Sequence, residues 1–125
     1  MYSVKSNRER LGMSQNSNRI NLEQMRAAAT QACSLLKTLG NADRLLLLCQ
    51  LTQGEFCVSE LESILGIQQP TLSQQLGVLR EEGMVSTRRK GKQIYYSIAS
   101  KEAADVMQVL YELFCANTNG GGRGN

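Results

Sequence analysis

VSELESILGIQQPTLSQQLGVLREEGMVSTRRKGKQIYYSI, residues 58–98, changes periodicity partway along, and that change decides the fold. Ser59 and Glu62 have capping-box spacing, a hydroxyl followed three residues later by a carboxylate, so a short helix is expected to run to Leu65 and end at Gly66. A second helix follows at once. Pro70 falls in its first turn, where a missing N–H costs little, and Leu72, Leu76 and Leu79 recur at i, i+4 and i+7 until Gly83 closes it. From Val85 the pattern alternates: Val85 and Thr87 on one arm, Ile94, Tyr96 and Ile98 on the other, around Lys90-Gly91. Period two on both sides of a glycine-containing turn predicts a hairpin.

Two helices joined by the tight turn Leu65-Gly66-Ile67, then a basic hairpin, predict a mainly α winged helix-turn-helix with a β-hairpin wing. With the leucines holding the second helix to the core, Gln69, Thr71, Ser73, Gln74 and Gln75 are left to point into a DNA major groove. Gln pairs bidentately with adenine, and Ser or Thr suits base edges or phosphates. Arg88, Arg89, Lys90 and Lys92 sit at the hairpin tip, where long cations reach backbone phosphates or the adjacent minor groove. Taken singly, a polar helix face is ordinarily just solvated, and a basic hairpin blunts a sheet edge. Their adjacency and order favour a double-stranded DNA reader.

Outward from this stretch, Leu22, Met25, Ala29, Ala32, Leu36 and Leu39 make a narrow apolar stripe on a first helix ending near Gly40, a seam suited to a partner helix. A second helix begins at Asn41 and Ala42, runs through Leu45, Leu48 and Leu51, and stops before Gly54; being apolar nearly all round, it should be central. Ser100 caps a last helix whose face is Ala103, Val106, Met107, Leu110, Leu113 and Phe114, ending at Cys115. Residues 1–20 and 117–125 are polar and aperiodic and are expected to be disordered tails, leaving one domain over 21–116.

The 125 residues are 42% hydrophobic and 20% charged, enough for one core. No apolar run approaches the ~18 residues that cross a bilayer, and the start lacks a signal-peptide stretch, so a cytoplasmic protein is expected. Net charge is only +3, but it is localised: +3 over 1–20, −2 over 21–65, +3 over 66–98 and −1 over 99–125. The sequence holds no histidine, the commonest zinc partner and side-chain base, so neither catalysis nor a cofactor or metal is expected. The four cysteines, 33, 49, 57 and 115, form no CxxC, and a cytosolic location argues against a disulfide framework.

LLKTLGNADRLLLLCQL (35–51), the 58–98 stretch and the last helix together resemble the ArsR-type winged-helix repressors over roughly residues 22–116. The family's usual S-Q-H-L is Ser73-Gln74-Gln75-Leu76 here, so a contact made by the family's His is not carried over. The resemblance implies a homodimer built through the first and last helices, bound to a near-palindromic operator. Arsenic-type members open the third helix with two cysteines flanking one residue, where this chain has Phe56-Cys57-Val58-Ser59; zinc-type members use Asp and His on the last helix. Cys49 on the leucine-rich helix and Cys115 at the end of the last one instead resemble the family's sulfide- and persulfide-responsive branch. That likeness implies a dithiol switch with reactive sulfur as inducer, and sulfide-detoxification genes as targets. Cys33 and Cys57 match no switch position. Cysteine-only sensing of a thiophilic metal or metalloid, and a helical interaction module that binds no DNA, stay open as alternatives.

Overall fold

The computed structural model describes residues 21–116, so both expected tails lie outside the described residues. The chain divides into two compact units, one ending at Ser34 and one running from Leu35. Helix α1, Leu22–Leu39, opens the described residues, with Asn21 Oδ1 accepting from Glu23 N at 2.8 Å in its first turn. Of its apolar stripe only Leu39 is buried; Leu22, Met25 and Leu36 are 60%, 52% and 61% exposed.

From Leu35 onward the elements are α2 (Ala42–Leu51), β1 (Phe56–Cys57), α3 (Val58–Leu65), α4 (Gln69–Glu81), β2 (Val85–Lys90), β3 (Gln93–Ile98) and α5 (Lys101–Leu110), the last continuing as a π-helical segment, Tyr111–Ala116. Asn41 caps α2, its Oδ1 accepting from Arg44 N at 3.0 Å, and Ser100 caps α5 by accepting from Ala103 N at 3.0 Å. The core joins Leu39, Leu47, Leu48, Leu51, Leu61, Ile67, Leu72, Leu76, Leu79, Val85 and Met107. Each fully buried leucine contributes about 1.5–3 kcal/mol from removal of apolar surface from water. Helix α2 is central, but not all round as its leucine run suggests: Leu47, Leu48 and Leu51 are buried while Leu46 stays 46% exposed.

One local expectation is corrected. The box at the start of α3 is set two residues earlier than Ser59 and Glu62: Cys57, with φ −92° and ψ 172°, is the cap residue, and Glu60 accepts from its N–H at 3.0 Å. The cause is strand pairing, because Phe56 and Cys57 lie antiparallel to Tyr96 and Tyr95 and are therefore extended up to the helix start. The hairpin is accordingly part of a three-stranded sheet, ordered β1-β3-β2. Its tip is a two-residue turn in which Gly91 has φ 65°, a conformation disfavoured by any Cβ, with Lys90 facing Gln93 across the strands. Between α3 and α4, Gly66 at φ 71° ends one helix so that Ile67 can turn into the core. Helices α3 and α4 with the β2–β3 wing form a winged helix-turn-helix.

Candidate DNA-reading face and thiol pair

Helix α4 keeps a polar N-terminal face because its apolar residues are spent on one side. Leu72, Leu76 and Leu79 are buried, while Gln69, Ser73 and Gln74 are exposed and Thr71 and Gln75 half-buried. Ser73 Oγ donates to Gln69 Oε1, one turn back. Gln75 does not stand free as the sequence suggested: its Oε1 accepts from Arg44 Nη1 at 2.8 Å, so the side chain turns toward α2. The outward set of α4 is thus Gln69, Ser73 and Gln74, with Thr71 partly available.

The wing divides in the same way. Arg89, Lys90 and Lys92 are exposed around the Gly91 turn. Arg88 sits lower, opposite Tyr95, and is not a free tip cation: its Nη2 and Nε donate to Glu55 at 2.8 and 2.9 Å, and its guanidinium lies 5.5 Å from the centre of the Tyr95 ring. The hydrogen bonds from Arg88 hold the Glu55 carboxyl below the usual carboxylate range, and those same bonds hold Arg88 more firmly in its charged form. Glu55 has no sequence signal of its own, since nothing local predicts that a loop carboxylate meets a strand arginine 33 residues away.

Cys49 lies half-buried on α2, with its Sγ 4.0 Å from Met107 Sδ of α5, and Cys115 is exposed in the π-helical segment. Both line one open cavity of about 570 Å³, whose walls include Leu46, Leu65, Met107 and Tyr111. Burial pushes the Cys49 thiol above its ordinary 9.0, and the charge of Cys115 pushes it further. The other two thiols are elsewhere: Cys33 is exposed on α1, and Cys57 is buried at the start of α3, its Sγ 3.3 Å from Ser59 Oγ. Among the described residues no three His, Cys, Asp or Glu side chains converge as metal ligands would.

Arg44, which holds Gln75 of this face, is the contact that sequence reasoning passed over. Its signal was present: a cation in the first turn of a helix opposes the helix dipole unless its head group goes elsewhere.

These features have counterparts in known proteins. A family model described as bacterial regulatory protein, arsR family, matches residues 41–87, from the cap of α2 into the wing. The biofilm growth-associated repressor of Agrobacterium fabrum is 57% identical over 97 residues, which are 78% of this chain and 83% of that protein. The crystal structure of the transcriptional repressor BigR from Xylella fastidiosa superposes with a TM-score of 0.71 at 52% identity, covering 77% of this chain and 98% of that one. A solution structure of a homodimeric winged helix-turn-helix DNA-binding domain from Mycobacterium bovis, a possible ArsR-family regulator, gives 0.61 at 32% identity over 70% of this chain and 82% of its own. With a relative this similar over most of both lengths, the chain belongs to the arsR family of bacterial regulatory proteins.

Proposed function

We propose that this protein is a DNA-binding transcriptional repressor that senses reactive sulfur through Cys49 and Cys115 and releases its operator when the two are cross-linked. The observation that carries the reading is that two thiols 66 positions apart line a single cavity. The working species is a cytoplasmic homodimer over residues 21–116, joined through α1 and the last helix. Exposed Leu22, Met25 and Leu36 on the first, and Val109 and Tyr111 on the second, favour it. Two α4 helices, one per protomer, then face successive major grooves of a near-palindromic site, with Gln69, Thr71, Ser73 and Gln74 toward the bases and Arg89, Lys90 and Lys92 on phosphates.

The chemistry balances as two sulfane-sulfur transfers and one closure. Exposed Cys115 attacks the outer sulfur of a hydropersulfide RSSH, releasing RSH and becoming Cys–S–SH; a second RSSH lengthens it to Cys–S–S–SH with loss of another RSH. Cys49 then attacks the middle sulfur and expels hydrogen sulfide, leaving Cys–S–S–S–Cys. Persulfide is the oxidant, and no other electron acceptor is needed. A bridge lengthened by extra sulfur spans a separation that a plain disulfide, limited to Cα atoms within about 7 Å, does not. The tether ties α2 to the end of α5 and, through the dimer seam, shifts the spacing of the two α4 helices.

The test is DNA release by a low-molecular-weight persulfide, followed by intact mass. Wild type should leave the duplex and carry bridging sulfur; Cys49→Ser and Cys115→Ser should bind DNA and ignore persulfide, while Cys33→Ser and Cys57→Ser respond as wild type does. Release of Cys49→Ser by persulfide refutes the switch, as does release of wild type by a thiophilic metal ion with both thiols unbridged.

A further inference from the structure

Arg44 makes three contacts that no local motif requires. Its Nε donates to Thr38 O at 2.6 Å and its Nη2 to Lys37 O at 3.4 Å, both in the last turn of α1, while Nη1 donates to Gln75 Oε1 of α4 at 2.8 Å. The backbone of Arg44 belongs to the first turn of α2, where a cation is unfavourable, but its head group lies at the carbonyl end of α1, where a cation is favoured. One planar guanidinium therefore joins three helices.

The consequence falls on the aim of α4. Leu72, Leu76 and Leu79 decide which side of that helix is buried, but apolar packing is non-directional and aims no single polar side chain. A hydrogen bond from a fixed donor fork is directional. Gln75 adjoins exposed Gln74, so holding Gln75 to Arg44 sets where Gln74 points. We propose that Arg44 is a positioning residue for DNA recognition, that Gln75 is its anchor on α4 and reads no base, and that the pair ties the roll of α4 to the C-terminal end of α1. This rests on α4 being the base-reading helix.

The test uses a duplex selected by the wild-type full-length protein from a randomised library, and measures affinity, single-base preference and melting temperature for Gln75→Leu, Arg44→Ala, Arg44→Lys and the double variant Arg44→Ala/Gln75→Leu. A hydrogen bond with a charged partner corresponds to roughly an order of magnitude in a binding constant. Gln75→Leu should therefore bind about tenfold more weakly on the selected duplex with a melting temperature close to wild type, and Arg44→Ala, whose side chain faces α1 and α4, should reproduce its pattern of single-base preference. The double variant should bind no worse than Arg44→Ala. Arg44→Lys, which keeps the charge but loses the fork, should bind as Arg44→Ala does. Additive losses in the double variant overturn the proposal, as does Gln75→Leu relaxing preference at an operator position that Arg44→Ala leaves intact, the signature of a base reader. Selection of no duplex by wild type is a different result, which removes the DNA-reading role of α4 itself; wild-type binding by Gln75→Leu to a selected duplex removes only the tether.

Discussion

Replacing Arg89, Lys90 and Lys92 together by Ala should flatten the salt dependence of DNA binding, whereas removing Arg88 with Glu55 should not. The structure sets the count. Three exposed cations surround the turn at Gly91, and the fourth basic side chain, Arg88, is already neutralised by a two-pronged ion pair with Glu55. Each phosphate neutralised contributes about 0.9 to the slope of log K against log salt concentration, so three tip cations amount to about 2.7 per wing and about 5 for two wings on one operator. Between about 50 and 200 mM salt the triple variant should then lose about a thousandfold less affinity than wild type does. The charge-neutral double variant Glu55→Ala/Arg88→Ala leaves the tip cations in place and should keep the wild-type slope. Fluorescence anisotropy of a labelled duplex, titrated at a series of salt concentrations, measures both. A double variant whose slope falls as far as that of a single tip substitution would refute the reasoning, because Arg88 would then have to leave Glu55 for a phosphate.

The remaining predictions concern the reading helix, its backbone and the half-buried thiol of Cys49. Gln74→Ala should cost about 1–3 kcal/mol on the selected duplex and relax discrimination at one base pair; equal losses on selected and random DNA would mean that Gln74 faces no base. Gly77, in the interior of α4, has nothing within 4 Å of where a Cβ would stand, so Gly77→Ala should stabilise the protein by about 0.5–1 kcal/mol in denaturant melts, and a loss of stability would show that the site is not open. For Cys49 the native thiol is raised above 9.0, so the stability it contributes is complete below that value and is lost as pH rises through 9.0 toward the raised native pKa. Thermal melts of the reduced protein should therefore show wild type declining relative to Cys49→Ser above pH 9.0, and parallel curves across that range would contradict the burial of the thiol.

The sequence by itself determined the order of helices and wing, the leucines of the core and the polar side of α4, because periodicity and punctuation by Gly and Pro are local properties of the chain. Leu72, Leu76 and Leu79 are buried where their spacing puts them, and Ser100 caps α5 as its position announced. It also placed Cys49 and Cys115 on the elements that bring both to one cavity, although only through likeness to a family, since a thiol among leucines has no pattern of its own. Tertiary structure decided what each polar side chain is free to do. Gln75 and Arg88 have the same local credentials as Gln74 and Arg89, yet one is bound by an arginine 31 residues away and the other by a carboxylate 33 residues away. The start of α3 moved for a similar reason, because Phe56 and Cys57 pair with β3 and are held extended up to Val58. Hydrogen bonds over such separations depend on how α2 and the sheet edge pack against α4 and the wing, and packing is a property of the assembled core that no window of sequence contains.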